Sequence, residues 1–222
     1  MEQIATDLSL LPSTPTHAFN AYLMGDVLVD AGTRHARRRI LRALDGHVPA
    51  AHALTHGHAD HQGASAALCG ELGLELWCPA GDADAVERGD LRDRGPVNLV
   101  TRAQHRWWAG PAHPVARRLR EGDDVGGFTV LETPGHSPGH VSFWRAHDRT
   151  LIAGDALFGR HRVTGRPGLY EPPGIFTLDP AANRKAIRRL AALEPAVVCF
   201  GHGPPLRDPA RLAAFAAALP ED

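Results

Sequence analysis

An α/β fold of two mixed β-sheets packed face to face, with helices on the outer surfaces, is what this 222-residue chain predicts. Three observations carry that expectation. Short apolar runs alternate with stretches of helical period, the pattern from which layered α/β domains are built. Hairpin signals interrupt the alternation, so the sheets are mixed rather than wholly parallel. The scheme also runs twice, each half having hairpin strands followed by helix and strand. A single domain over residues 1–222 is therefore expected.

The elements follow in order. "AFNAYLMGDVLVDAG" reads as two short strands joined by a two-residue turn at Gly25 and Asp26. "TRHARRRILRALDGH" has apolar residues at Ile40, Leu41 and Leu44 and a stop at Gly46, so it is an amphipathic helix. "AAHALT" is a short apolar strand, Gly63 to Gly73 is helical, "LELWCPA" is a strand and "DADAVERG" a short helix. From about Arg92 to Arg120 the periodicity dissolves into an irregular excursion with room for one helical piece. "FTVLETP", "HVSFWRA" and "TLIAGD" are strands, and a loop from about Phe158 to Thr177 follows them. "DPAANRKAIRRLAAL" is a helix capped by Asp179, with Pro180 at its first position, where the missing N–H costs nothing. "AVVCFG" is a last strand and "DPARLAAFAAAL" a last helix with the same Asp-Pro opening.

Composition narrows the class of partner. Hydrophobic residues make up 43% and charged residues 22%, and the formal net charge is -1. Such a balance offers no field for nucleic acid or an anionic membrane. The opening "MEQIATDLSLLPSTP" has neither a basic stretch nor an apolar one, and no run approaches a membrane span, so a cytoplasmic location is expected. Cys69, Cys78 and Cys199 form no CxxC pair, which fits a reducing compartment and makes cysteine a poor nucleophile or ligand here. Histidine is the outlier, with 14 copies. His35, His47 and His147 sit in basic or polar surroundings and read as ordinary surface.

The remaining histidines repeat a pattern. "AHALT" runs into His56, His58, Asp60 and His61; "FTVLETPG" into His136; "TLIAG" into Asp155; "AVVCFG" into His202. Ligands at strand ends converge on one rim, where loops are free to carry function. Gly135, Gly154 and Gly201 precede three of them and allow sharp turns and close approach. Alternation in "HGH" puts His56 and His58 on one side to chelate a single ion, with Asp60 and His61 across a bend in reach of a second. Five imidazoles and two carboxylates suit zinc, iron or manganese. Seven donors are too many for one tetrahedral site and suit two divalent ions, zinc first, sharing a carboxylate and a bridging water. A closed structural zinc site would be rich in cysteine, and this set has none.

"THGHADH", "TPGHSPGH", "AGDALF" and "FGHGPP" resemble, in order and over essentially the whole chain, the motifs of metallo-β-lactamase-fold hydrolases, in particular the glyoxalase II-like branch. That resemblance implies an αββα sandwich. It implies His56, His58 and His136 on one metal, Asp60, His61 and His202 on the other, and Asp155 bridging. Glyoxalase II carries a helical C-terminal region that binds glutathione, whereas twenty residues follow His202 here, so a glutathione thioester is not the expected substrate. Flavo-diiron proteins of this fold have glutamate where this chain has His58. Persulfide dioxygenases share the "THxHADH" run but use one iron, expected on His56, His136 and Asp155. Their arginine-containing motif after "GD" is poorly matched by "ALFGRHRVTGRPG".

The reaction implied is metal-assisted hydrolysis, with a metal-bridged hydroxide attacking the carbonyl of a small ester, thioester, lactone or amide. Asp60 and Asp155 are the candidate catalytic carboxylates, Asp60 orienting or deprotonating the nucleophile. Ser137 beside His136 lacks a G-x-S-x-G elbow and is not expected to be a nucleophile. Arg160, Arg162 and Arg166 follow Asp155 closely and are expected to bind an anionic group of a small-molecule substrate. Trp107 and Trp108 would wall the cleft, pack in the core or bury themselves in a homodimer contact. An iron persulfide dioxygenase, a nucleic-acid-processing enzyme of the same fold and a non-catalytic metal-stabilised module are the rival readings, the second disfavoured by the balanced charge.

Overall fold

The computed structural model describes residues 1–221. Two strands, β1 (Glu2–Ala5) and β2 (Leu8–Leu10), open the chain and pair antiparallel, although the sequence alone marks no element there. Leu8 and Leu10 are buried on either side of a half-buried Ser9, a period of two over too few residues to stand out. The expected hairpin follows as β3 (Tyr22–Met24) and β4 (Val27–Val29), turning at Gly25 with φ 57°. Helix α1 (Arg37–Leu44) buries Ile40 and Leu44. Its left-handed stop falls at Asp45, one residue before the expected Gly46.

β5 (Ala51–Ala53) leads through the short α2 (Ala59–Gln62) into α3 (Ser65–Leu72), then β6 (Glu75–Pro79) and α4 (Ala80–Arg88). The stretch expected to be irregular is more ordered than predicted. It holds α5 (Leu99–Trp108), opened by a capping box between Asn98 and Thr101, and β7 (Arg117–Leu119). These strands make a seven-stranded sheet in sequence order, antiparallel from β1 to β4 and parallel from β4 to β7.

The second sheet is built from β8 (Asp124–Val125), β9 (Phe128–Glu132), β10 (Val141–Arg145) and β11 (Thr150–Gly154). The predicted loop after Asp155 instead contains a hairpin, β12 (Phe158–Arg160) with β13 (Pro167–Tyr170). Helix α6 (Pro180–Ala191) starts at Asp179, whose carboxylate accepts from Ala182 N at 2.9 Å, as expected. β14 (Val197–Phe200) adds parallel to β11, and α7 (Pro209–Ala217) closes the chain on its Asp208 cap. The sheet order is β14-β11-β10-β9-β8, again mixed.

Three apolar layers explain the stacking. Tyr22, Met24, Val27 and Val29 of the first sheet meet Phe128, Val130, Phe143 and Ile152 of the second in the central core. On the outer face of the first sheet, Leu28 packs with Ile40, Leu44 and Leu68 of α1 and α3, and Leu76 with Val86 of α4. On the outer face of the second, Leu151, Val198 and Phe200 pack with Ile187, Leu190 and Leu212 of α6 and α7. Each fully buried side chain of this kind contributes ~1.5–3 kcal/mol. The result is helix, sheet, sheet, helix, as predicted. Among the described residues no helix is long and apolar enough to cross a membrane.

Candidate metal centre

The strand ends bring the seven predicted donors together. Ligand atoms of His56, His58 and His136 lie within 4.8 Å of one another; so do those of His56, His61 and Asp155, and those of Asp60, His61 and His202. Asp155 Oδ2 is the hub: His202 Nε2 lies 3.1 Å away, His61 Nε2 3.3 Å, His136 Nε2 3.4 Å and His56 Nε2 4.0 Å. Two glycines make this convergence possible. Gly154 takes φ 54° to turn the chain from β11 into Asp155. A Cβ on Gly201 would overlap Asp155 Oδ1 and stand 2.7 Å from His61 Cε1, so only glycine lets β14 pass this close.

Hydrogen bonds behind the rings decide which nitrogen faces inward. His56 Nδ1 meets Thr55 Oγ1 at 2.9 Å, His61 Nδ1 donates to Asp30 Oδ2 at 2.8 Å, and His136 Nδ1 lies 3.4 Å from Thr177 Oγ1. Each therefore turns Nε2 to the centre. His58 is reversed, with Nε2 donating to the Arg94 carbonyl at 3.0 Å and Nδ1 left to face the others. His202 donates from Nδ1 to the Ala18 carbonyl and presents Nε2. Such partners orient rings and hold tautomers at metal sites.

Nε2 of His56, His61 and His136 and Oδ1 of Asp155 are buried without a hydrogen-bond partner among the described residues. Buried polar atoms left unpaired cost ~1–3 kcal/mol each. Lone pairs of imidazole converging on a carboxylate suit a cation, so these residues fit metal ions. The electrostatics favour neutral rings at two donors. At His61 burial is outweighed by Asp155 and Asp30, which hold it well above the ordinary imidazole range, so a cation there would displace its proton. Burial pushes His58 down to about 3 and His56 well below the ordinary imidazole range, keeping both neutral and able to coordinate. Burial pushes Asp60 up, but His61, Arg162 and His202 outweigh it and leave the carboxyl at about 2. Asp155 is likewise raised by burial, yet His202 and His61 hold it well below the carboxylate range.

Several residues that position the donors are not among those singled out from the sequence. Asp30, at the end of β4, also accepts from Thr55 N and Thr55 Oγ1, each at 2.8 Å. Fully buried Asp82 accepts from Gly57 N at 2.8 Å, Gly139 N at 2.9 Å and Ser137 Oγ at 2.8 Å, tying the His56 loop to the His136 loop. That bond accounts for Ser137. His140 Nε2 accepts from the Asp155 amide at 2.9 Å while its Nδ1 meets Thr133 Oγ1 at 2.8 Å. The signals for Asp30 and His140 were present: "VLVDAG" is one more apolar strand ending in an acid, and "GHSPGH" holds a second histidine. His52, inside β5, is spent elsewhere, between the Leu28 carbonyl and Ser65 Oγ.

A narrow cleft of about 30 Å³ opens on the centre. It is lined by the donors His58, Asp60, His136, Asp155 and His202, by Phe158, Phe176 and Arg162, and by Pro96, Thr101, Gln104 and His105 of the α5 segment. The three arginines expected to act together are divided. Arg162 lines the cleft, with Nη2 3.3 Å from Asp60 Oδ2. Arg160 instead donates to the Thr16 carbonyl at 2.9 Å, and Arg166 is exposed; neither lines the cleft. Trp108 packs edge-on against Phe19 at 5.4 Å, and Trp107 is 59% exposed, so neither walls the cleft. Cys69, Cys78 and Cys199 are free and buried, and burial pushes the Cys69 and Cys199 thiols up to about 12, far from nucleophilic at neutral pH.

Comparison with known proteins places this geometry. A family model described as the metallo-beta-lactamase superfamily matches residues 19–202. The probable metallo-hydrolase YflN of Bacillus subtilis (strain 168) is 29% identical over 219 residues, covering 88% of this chain and 79% of its own length. The hydroxyacylglutathione hydrolase GloC of Haemophilus influenzae is 31% identical over 128 residues, which is 53% of this chain and 55% of that one. Among solved structures, TTHA1623 in a di-iron-bound form is 34% identical with a TM-score of 0.62, over 90% of this chain and 88% of that one.

Proposed function

The chain belongs to the metallo-beta-lactamase superfamily, and from that premise we propose a metal-dependent hydrolase that cleaves a small-molecule ester, thioester or lactone with two divalent cations. The observation that carries this reading is the ring of inward-facing imidazole nitrogens around Asp155 Oδ2, three of them buried without a partner. His56, His58 and His136 would hold one ion, Asp60, His61 and His202 the other, and Asp155 would touch both. The chemistry such ions supply is polarisation of a carbonyl and acidification of water from a pKa of ~15.7 toward ~7. Zinc is the proposed metal; the di-iron form of TTHA1623 makes iron the alternative outcome of metal analysis.

The side chains then have distinct tasks. Asp60 faces the cleft, and its carboxylate would orient the attacking water. Phe158 and Phe176 are apolar walls that pack against the substrate and exclude bulk water, which strengthens every charge interaction within. Arg162 is the group positioned to pair with an anionic part of the substrate. Hydrolysis of a thioester is supported by the likeness to GloC, and a general metallo-hydrolase role by the likeness to YflN. A mononuclear dioxygenase would leave the set of Asp60, His61 and His202 without a task.

Metal analysis of the purified protein beside a panel of thioesters, lactones, simple esters and β-lactams tests the reading. Close to two metals per chain, with turnover of one panel class lost on chelation and restored by zinc, is expected. One iron per chain with oxygen uptake on a persulfide would replace the reading with the dioxygenase. Full metal content with no turnover on any carbonyl substrate would reduce the protein to a metal-stabilised module.

A further inference from the structure

Arg162 stands on the turn just beyond β12, against one of the two triads and not the other. Its Nη2 faces Asp60 Oδ2 at 3.3 Å, longer than the ~2.7–2.9 Å of a good charge-assisted bond. Its guanidinium carbon lies 5.6 Å from the centre of the Phe19 ring and 5.5 Å from that of Phe176. Nη1 comes within 3.3 Å of His202 Nδ1, but that nitrogen already donates to the Ala18 carbonyl, so two donors meet and no bond forms. The guanidinium is thus clasped by two aromatic faces and a long ion pair, and its position is weakly determined by hydrogen bonds.

The other triad is backed by uncharged groups: Thr55 Oγ1 behind His56, the Arg94 carbonyl behind His58 and Thr177 Oγ1 behind His136. Asp60, by contrast, belongs both to the triad with His61 and His202 and to the ion pair with Arg162. One carboxylate oxygen cannot serve a divalent ion and a guanidinium equally, and like charges in a buried, low-dielectric site repel strongly.

We propose that Arg162 competes with a divalent cation for Asp60. The two positions then fill unequally, the triad of His56, His58 and His136 first and tightly, the triad of Asp60, His61 and His202 second and more weakly. This rests on the two-cation reading above. When the second cation enters, Arg162 gives up Asp60 and turns between Phe19 and Phe176 toward the cleft it lines. The freed guanidinium is then the partner for an anionic substrate group, so full occupancy of the centre and anion binding favour each other.

The test dialyses zinc-loaded protein against a graded chelator and counts zinc per chain, for wild type, Arg162→Gln, Arg162→Lys and His202→Ala. Far-UV circular dichroism and melting check that each variant is folded. Wild type is expected to lose one zinc well before the other. In Arg162→Gln the first loss should move to at least tenfold lower free zinc while the second stays put; Arg162→Lys, which keeps the charge, should behave as wild type. His202→Ala should lack the weakly held zinc altogether. Unchanged or earlier zinc loss in Arg162→Gln, with His202→Ala behaving as expected, would overturn the competition and leave the two-cation reading standing. Two zinc ions retained in His202→Ala would remove both.

Discussion

Asp30 accepts a hydrogen bond from His61 at 2.8 Å, with both side chains buried. The carboxylate fixes a proton on Nδ1 and turns Nε2 toward Asp155 Oδ2, 3.3 Å away. Asp30→Asn presents an amide N–H where an acceptor is needed and leaves one of the Thr55 or His61 donors unpaired. Affinity for the second metal is expected to fall by ~10–100-fold, the range for loss of an outer partner of a ligand. Stability should drop by ~1–3 kcal/mol. Zinc retention against a chelator and urea denaturation measure the two effects. Retention equal to wild type would show that His61 needs no partner to hold its tautomer.

Gly201 supplies the second prediction. An alanine Cβ there would overlap Asp155 Oδ1, and neither β14 nor β11 can retreat, because both are packed between the other sheet and helices α6 and α7. Gly201→Ala should therefore displace Asp155, at a cost of ~1–3 kcal/mol from overpacking, and lower metal content more than Gly70→Ala, where a Cβ meets nothing within 4 Å. Parallel melting curves and metal analysis of the two variants decide it. Equal metal content in both would mean that the centre tolerates a shifted Asp155.

Much of this centre could be read from the sequence because each donor ends an apolar strand: His56 after β5, His136 after β9, Asp155 after β11 and His202 after β14. What period and position cannot convey is which distant group stands behind a ring. Asp82 reaches Gly57 and Ser137 only because α4 lies beside both loops, so its role belongs to tertiary packing. The hairpin of β12 and β13 was hidden by glycine and proline, both weak strand formers. Helix α5 buries no residue, so no apolar stripe announced it; the capping pair Asn98 and Thr101 was the available signal. The β1–β2 pair was too short to show its alternation.

The division of the arginines follows from the same hairpin. Arg160 ends β12 and turns to the Thr16 carbonyl, while Arg162 lies past the strand, where alternation no longer governs direction. Once a substrate is known, Arg162→Gln should raise KM for an anionic substrate by ~10–100-fold, the worth of one charge-assisted hydrogen bond. The double variant Arg160→Gln/Arg166→Gln should leave KM within about twofold, as expected for surface positions. Steady-state kinetics on an anionic substrate and an uncharged analogue separate the cases. A KM that rises for the double variant, or equally for both substrates in Arg162→Gln, would argue against Arg162 as the anion contact.

Asp155 is the residue on which the two-metal reading most depends. Its Oδ2 faces four imidazoles between 3.1 and 4.0 Å away, and its amide N–H is held by His140 at 2.9 Å. Asparagine keeps that amide bond and nearly the same shape but removes the negative charge that offsets repulsion between two cations. In Asp155→Asn at least one metal per chain should be lost and turnover should fall by more than ~100-fold, beyond the effect typical of outer partners. The fold should persist, since the three apolar layers are built from hydrophobic side chains and include none of the seven donors. Metal analysis, circular dichroism and hydrolysis rates on one preparation distinguish the outcomes. Retention of both metals with near-wild-type rates would mean that Asp155 does not join the two triads, and the proposed mechanism would fall with it.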